Sequence, residues 1–312
     1  MTAAVLRESS SVLDSDPGSA LRLAQQAPSF LAKKSTTLPF PLGVSDDAER
    51  WLTCERLFLA CLRVGDDESA QQLLDRLTER FGPANERVMG LKGLYQEATA
   101  KDARSLEAVL SEYDKILAEN PVNVPIHKRR VAILRSLGRE EDAISALVDY
   151  LEAFPTDTEA WCELAELYHS QGMSAQAIFS LEEALLVAPN SWNLHARLGE
   201  LLYISTSGTE ATGPNSENLA RSVRHFCRSL ELCDDYPRGL YGLIKATSRY
   251  LGYPTNDQVP STEVIERLNR MAREKAQKLL DMRKPQDPDR PELKALEELL
   301  QREPSSANNR GT

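Results

Sequence analysis

The chain has 312 residues, of which 41% are hydrophobic and only 6% aromatic, and its formal net charge is −10. This acidic balance argues against a nucleic-acid backbone or an anionic membrane surface as the main ligand. The longest uninterrupted apolar run covers residues 57–62, far fewer than the roughly 20 residues that a membrane-spanning helix needs. Five cysteines without a CxxC pair are typical of a reducing compartment, and the N-terminus lacks the pattern of a secretory signal.

Residues 1–45 are predicted to form a mobile N-terminal segment. A proline near the start of residues 17–27 favours a short helix there. Residues 28–45 contain three prolines, two lysines and a Ser/Thr cluster, and this composition predicts an extended connection. The connection also carries apolar residues that can anchor it against a groove, namely Phe30, Leu31, Leu38 and Phe40.

A period of 34 residues runs through the middle of the chain. The residues that keep this period are Pro121, Pro155 and Pro189, Gly138 and Gly172, and Ala143 and Ala177. Such a period is the signature of a tetratricopeptide repeat, a helix–turn–helix unit that stacks on its neighbours. The glycine ends the first helix, the small alanine lets the second helix approach the first, and the proline forces the turn to the next repeat.

The best copy of the repeat lies at about residues 158–191. It contains the residue types expected for both helices and their turns: Trp161, Leu164, Ala165, Tyr168, Gly172, Ala177, Leu181, Ala184 and Pro189. The large apolar residues of its first helix recur at three- and four-residue steps, so they share one face. Because one hairpin cannot bury that face alone, each repeat needs neighbours on both sides.

We expect an all-α, right-handed tetratricopeptide-repeat solenoid of about five to six helix pairs, with extra helices at both ends. The array is predicted over residues 46–283, with repeats at about 51–84, 85–123, 124–157, 158–191 and 192–234 and a degenerate unit at 235–283. A polar insertion at 205–218 interrupts the fifth repeat, either as a tolerated loop or as a contact loop. Residues 284–312 are predicted to form a short helix and a disordered tail.

The sequence contains no constellation of catalytic or metal-binding residues, so we expect neither an enzyme nor a cofactor or metal site. Cys54 and Cys61 lie seven residues apart on one helix face, where packing is the expected role, since a thiolate zinc site needs four ligands at shorter spacing. The four histidines are assigned to different repeats as polar surface or groove residues: His127, His169, His195 and His225.

Partner binding is the function that remains. In this class of repeat the first helix of each unit lines the concave groove, and its non-core positions point into that groove. The candidate groove residues are Lys128, Arg129, Ala132, Arg135, Glu159, Cys162, Glu163, Glu166, His169, Asn193, Ala196, Arg197, Glu200 and Tyr203. Adjoining basic and acidic bands suit a mixed-charge peptide, while solvated helix faces are the ordinary alternative. The carboxylates of Glu163 and Glu166 exclude a clamp for an acidic C-terminal tail.

Five stretches are more particular than the repeat consensus: GLKGLYQEA (90–98), YDKILAENP (113–121), KRRVAILRSLGR (128–139), AWCELAELY (160–168) and FSLEEALLVAPN (179–190). They resemble subunit 2 of the endoplasmic-reticulum membrane protein complex, over about residues 85–250. The resemblance implies a non-catalytic scaffold, peripheral to the cytosolic face of that membrane, in a complex that inserts tail-anchored and multi-pass proteins. It implies an outer surface that carries another soluble subunit and a concave surface that holds a cytosolic segment of a membrane-embedded subunit. The residues that would line this groove are Lys128, Arg129, Arg135, Glu163 and Glu166.

The chain departs from this family in residues 28–45, in the insertion at 205–218 and in the C-terminal tail, so no contact of those parts is carried over. Two other functions stay open from the residues alone. One is a free cytosolic or nuclear adaptor that binds a peptide motif with the same repeats. The other is an enzyme of unrecognised type.

Overall fold

The structure, a computed structural model, describes residues 17–32, 48–206, 215–252, 260–283 and 290–302. All regular secondary structure in these residues is α-helical, which confirms the all-α prediction. The helices are α1 Pro17–Ala24, α2 Ala27–Ala32, α3 Ala48–Val64, α4 Asp67–Phe81, α5 Glu86–Ala98, α6 Ala103–Glu119, α7 Val124–Ser136, α8 Glu140–Ala153, α9 Thr158–Ser170, α10 Ser174–Val187, α11 Trp192–Ser205, α12 Asn215–Leu232, α13 Pro237–Leu251, α14 Thr262–Arg283 and α15 Pro291–Arg302. They form two compact units, residues 1–146 and 147–312, with the boundary inside α8. Within the described ranges, no helix combines the length and apolarity needed to span a bilayer.

The first unit is built from helix hairpins around a shared apolar core. Its centre lies between α3 and α4, where Leu57, Phe58 and Leu73 are at most 1% exposed. Burial of each such side chain stabilises the fold by roughly 1.5–3 kcal/mol. Helix α1 packs on α3 and α2 packs on α4, so the two extra helices cover the start of the repeats. Helices α5, α6 and α7 then pack against one another in the same manner.

The second unit contains three helix pairs, α9 with α10, α11 with α12 and α13 with α14, followed by α15. Its largest core cluster centres on Phe226 of α12 and runs into α13 and α14. Helix α15 packs on α13 and α14 through Leu293, Leu296 and Leu299. These leucines recur every third residue, so the amphipathic last helix buries one face and leaves the other to solvent.

The predicted repeat positions occupy the places that the period requires. Ala143 and Ala177 are fully buried, and Leu181 is 1% exposed. Gly138 and Gly172, which follow the first helix of their repeats, have φ angles of 69° and 75°. A side chain would be strained in this left-handed conformation, which explains why glycine stands there. These positions lie within helical hairpins, while the exact bounds of the predicted repeats stay a prediction.

In three repeats, a histidine or tryptophan ring nitrogen forms a hydrogen bond with the carbonyl oxygen of the proline six residues earlier in the chain. The pairs are His127 with Pro121 at 2.8 Å, Trp161 with Pro155 at 2.9 Å and His195 with Pro189 at 3.0 Å. Because a carbonyl oxygen only accepts, Nε2 carries the proton in both histidines. Each ring thus satisfies a backbone group in the turn between repeats, a structural role that the prediction of surface or groove histidines missed.

Two segments that were predicted as connections have helical residues at their ends. The extended connection predicted at 28–45 is wrong for its first residues, because α2 continues to Ala32. The Arg76 side chain on α4 donates to the carbonyl oxygens of Phe30, at 3.3 Å, and Leu31, which secures the last turn of this short helix. The ends of the loop predicted at 205–218 are also helical, because α11 continues to Ser205 and α12 begins at Asn215. Residues 207–214 and 33–45, like the segments predicted as mobile at 1–16 and disordered at 303–312, lie outside the described residues.

Two serines of α12 are completely buried but differ in hydrogen bonding. Ser222 Oγ donates to the carbonyl oxygen of Gly199 at 2.7 Å, whereas Ser229 Oγ has no partner among the described residues. We expect Ser229→Ala to raise the free energy of unfolding by up to about 1 kcal/mol and Ser222→Ala to lower it by about 1 kcal/mol. Chemical denaturation of both variants checks the pair, and effects of the same sign would contradict this assignment.

Candidate partner-binding surface

A chain of ion pairs crosses the first helices of the second unit. Arg197 on α11 donates two hydrogen bonds of 2.8 Å to Glu166 on α9, from Nε and Nη2. Nη1 of the same arginine donates to Glu200 at 3.0 Å, one turn further along α11. Glu200 also accepts from Nη2 of Arg238 on α13 at 2.6 Å. We call the surface defined by these four residues the first-helix face of the second unit.

The charges on this face are largely engaged with one another. Arg197 and Glu200 are 19% and 22% exposed, so the centre of the chain is half-buried, while Glu166 and Arg238 at its ends face solvent. The hydrogen bond to Glu200 raises the pKa of Arg238 above its ordinary value, against the opposing effect of burial. Forked contacts of this kind fix the orientation of both groups and are stronger than single exposed ion pairs.

The first unit contains the same kind of pair in a more buried setting. Arg129 on α7 binds both carboxylate oxygens of Glu97 on α5, with 2.9 Å between Nε and Oε1, and the two side chains are only 26% and 9% exposed. The hydroxyl of Tyr113 on α6 donates to the same carboxylate at 2.6 Å. Burial would lower the pKa of Arg129, but the hydrogen bond and charge of Glu97 outweigh it and raise that pKa.

One rule describes these contacts between repeats. An arginine on the first helix of a repeat meets a glutamate on the first helix of the preceding repeat, at separations of 31 to 38 residues. The pairs are Glu55–Arg87, Glu97–Arg129, Glu166–Arg197 and Glu200–Arg238. This pairing was not predicted from the sequence, although a glutamate followed by an arginine after roughly one period was a visible sign of it. Residues predicted to face a ligand therefore also hold neighbouring repeats together.

The other predicted groove residues lie on first helices of the two units: Lys128, Ala132 and Arg135 on α7, Glu159, Cys162, Glu163 and His169 on α9, and Asn193, Ala196 and Tyr203 on α11. Lys128, Arg135, Glu159 and Glu163 each take part in interactions of their own. The ring of Tyr203 lies 5.0 Å from the guanidinium carbon of Arg249 on α13. The prediction is wrong for Ala196, which is fully buried in the core of the second unit and cannot face a groove. Binding of a partner by the other residues stays a prediction.

His195 on α11 and His225 on α12 stack with ring centroids 5.4 Å apart. The prediction that the four histidines belong to different repeats is wrong for this pair, because pairing of the two helices closes the 30-residue separation. Nε2 of His195 holds its proton towards Pro189, so its Nδ1 accepts from Nδ1–H of His225 at 3.1 Å. Burial, followed by the charges of His195, Arg221 and Arg224, lowers the pKa of His225 to about 4.

This pair predicts that acid destabilises the second unit between about pH 6.5 and pH 4. The unfolded chain protonates His225 near its ordinary pKa of 6.5, whereas the folded chain takes up that proton only near pH 4. Protons therefore bind the unfolded state preferentially in this window, and stability is lost as the pH falls. We expect the unfolding temperature of the wild type to fall more steeply with acidification than that of His225→Asn. Identical pH profiles would contradict the prediction.

Both units also contain an open apolar cleft. In the second unit a cleft of about 290 Å³ lies between α8, α9 and α10, where Trp161 and the exposed Phe179 meet edge to face at 6.3 Å. In the first unit a cleft of about 410 Å³ is lined by Trp51 and Phe81, among others. Apolar walls of this kind suit the side chains of a partner protein better than a polar small molecule.

The chain matches the family model described as EMC2 TPR-like repeat domain over residues 83–213. It is 33% identical over 242 residues to the TPR repeat protein oca3 of Schizosaccharomyces pombe, covering 73% of this chain and 82% of that protein. It is 36% identical over 193 residues to ER membrane protein complex subunit 2-A of Xenopus laevis, covering 62% of this chain and 61% of that subunit's length. A solved structure of Pseudomonas aeruginosa pilF aligns with a TM-score of 0.49 and 16% identity, covering 80% of this chain and 97% of that one.

Proposed function

The chain belongs to the family of ER membrane protein complex subunit 2, and from this premise we propose that it is a non-catalytic scaffold subunit of that complex. It acts on the cytosolic side of the endoplasmic-reticulum membrane as a peripheral protein. Its partners are the other subunits, both membrane-embedded and soluble, and the assembly supports insertion of tail-anchored and multi-pass membrane proteins. The groove of its first helices holds a cytosolic segment of a membrane-embedded subunit.

The observation that carries this proposal is the similarity to relatives named as subunits of the complex, together with a family match that spans residues of both units. The first-helix face of the second unit supplies a physical reason for segment binding. Its arginines and glutamates are already oriented by their mutual hydrogen bonds, so a partner segment meets fixed donors and acceptors at a low entropic cost.

A comparison of membrane and cytosolic fractions tests the scaffold role. We expect a tagged chain to recover several integral membrane proteins at fixed stoichiometry from detergent-solubilised membranes, as identified by mass spectrometry. Recovery from the cytosol alone, without membrane proteins, would contradict the scaffold role and favour the free peptide-binding adaptor.

Charge reversal on one first helix tests, in the same assay, whether the predicted groove binds the membrane subunits. Glu159→Lys combined with Glu163→Lys alters the first helix α9 and should reduce recovery of membrane subunits by about tenfold, since like charges across an interface are strongly unfavourable. Glu141→Lys combined with Asp149→Lys makes the matched change at exposed positions of the second helix α8 and should leave recovery unchanged. Equal losses in both variants would reject the assignment of the groove.

A further inference from the structure

The apolar cleft between α8, α9 and α10 accepts apolar groups better than polar ones. Its volume of about 290 Å³ lies at the lower end of the range for small-molecule pockets, so it fits one or two anchoring side chains. Two polar groups of its wall are already engaged. The indole nitrogen of Trp161 donates to the carbonyl oxygen of Pro155 at 2.9 Å. The hydroxyl of Ser180 donates to the carbonyl oxygen of Gln176 at 2.9 Å.

An exposed apolar row continues from the cleft along α10. Phe179, which lines the cleft, is 55% exposed, and Leu186 is 75% exposed. The two residues are seven positions apart, so they lie on the same side of the helix, about 10 Å apart along its axis. A partner helix with apolar residues at the same spacing covers both of them. This geometry is typical of recognition in which an amphipathic helix lies in a groove.

The charge around the cleft has a single sign. Residues 147–196, which begin the second unit and include all of α9 and α10, contain eight aspartates and glutamates but no lysine or arginine. Glu152 lines the cleft, and Glu183 lies within the apolar row of α10. Neither of these two carboxylates forms a hydrogen bond or ion pair with another described residue. Glu182, by contrast, is paired with Arg221 of α12.

We propose that this cleft and the adjoining face of α10 bind a basic amphipathic helix of a partner protein. The apolar side of that helix enters the cleft at Phe179 and covers Leu186, while its flanking lysines or arginines reach Glu152 and Glu183. Charge complementarity selects such a helix over an acidic one, and it disfavours a second copy of this chain, whose matching surface carries the same charge. The site is separate from the groove of the first helices and exists in a scaffold subunit and in a free adaptor alike.

The test uses the full chain and labelled synthetic peptides of about 18 residues, long enough for a helix to form. Two peptides place leucine on one side of the helix, and the flanking positions carry lysine in one peptide and glutamate in the other. Fluorescence anisotropy at low ionic strength should show about tenfold tighter binding of the lysine peptide, and added salt should weaken that preference. A third peptide has the same composition as the lysine peptide but spreads its leucines around the helix, and it should bind about tenfold more weakly.

Two double variants locate the carboxylates that bind. Glu152→Gln combined with Glu183→Gln should weaken binding of the lysine peptide by about fivefold. Glu266→Gln combined with Glu274→Gln is the matched control, because it removes two exposed carboxylates of α14, which packs on α13 and α15. This control should change the affinity by less than about twofold.

Three further variants test the apolar contact and keep the test independent of folding. Phe179→Ala should weaken binding of the lysine peptide by about tenfold, whereas Tyr241→Ala, at a 38% exposed aromatic residue of α13, should leave it unchanged. Gln176→Glu adds a carboxylate at an exposed position of the cleft wall and should tighten binding by about twofold. The unfolding temperature of each variant verifies that it is folded.

Equal binding of the lysine and glutamate peptides, or equal losses in the two carboxylate double variants, overturns the proposal. A dimer of the isolated chain that Phe179→Ala abolishes, as measured by analytical ultracentrifugation, would assign the surface to a second copy and overturn the proposal as well. Lysine preference in a chain recovered only from the cytosol would reject the scaffold role and keep this site. Recovery of membrane subunits without lysine preference would reject this site alone.

Discussion

Replacement of Gly242 by alanine is expected to lower the free energy of unfolding of the second unit by about 2 kcal/mol. Helix propensity alone predicts the opposite sign, because alanine is the better helix former by about 1 kcal/mol. Packing decides the outcome: a Cβ atom on Gly242 would lie 2.1 Å from Cε1 and 2.2 Å from Cζ of Phe226. The Phe226 ring is 1% exposed and lies 3.1 Å from the place of a Cβ atom on Gly199, so it has no room to retreat in that direction.

Two comparisons separate this packing effect from backbone propensity. Gly239→Ala is on the same helix, but its Cβ atom would lie 3.1 Å from the flexible end of Leu230, so we expect a change within about 0.5 kcal/mol. In a Phe226→Leu background the smaller side chain makes room, and Gly242→Ala should become neutral or stabilising. Chemical denaturation of the single and double variants measures both effects. A stabilising Gly242→Ala in the wild-type background would show that the ring does not fill the space beside α13.

The 34-residue period of alanine, glycine and proline was sufficient to predict the helical hairpins. Alanine at 143 and 177 and glycine at 138 and 172 are required by the close approach of two helices and by a left-handed turn, which are local demands that a sequence displays directly. Helix α2 was missed because proline and a short apolar run do not favour a six-residue helix. Its support comes from Arg76, more than forty residues away, and such support is invisible without the tertiary structure.

The charged surface was predicted less completely than the hairpins. The sequence placed Arg129, Glu166 and Arg197 correctly on first helices, since helical periodicity assigns each residue to a face. It did not predict that these side chains bind one another, because that depends on the offset between stacked helices and on side-chain rotamers. The contact between His195 and His225 was missed for the same reason: two distant positions meet only after the inserted fifth repeat has folded.

Loss of the Glu97 carboxylate is expected to lower the free energy of unfolding of the first unit by about 3 kcal/mol. Glu97→Ala removes the partner of Arg129 and of the Tyr113 hydroxyl at the same time, and both groups are largely buried. An uncompensated guanidinium group is far more costly there than at the surface. Glu112→Ala is the matched control, because its ion pair with Lys92 is 41% and 59% exposed and should contribute less than about 1 kcal/mol.

The hydrogen-bonded network of Glu97, Arg129 and Tyr113 predicts two further effects that a simple packing defect would not produce. The effects of Glu97→Ala and Arg129→Ala should be non-additive, with a coupling of at least about 1 kcal/mol, because each variant already breaks the same contact.

Burial, followed by the hydrogen bond and charge of Glu97, raises the pKa of Tyr113 well above its ordinary value of 10.0. The unfolded chain therefore loses this proton first as the pH rises past 10, so the wild type should lose stability there more steeply than Tyr113→Phe. Additive effects with parallel alkaline profiles would mean that the carboxylate does not join the three helices.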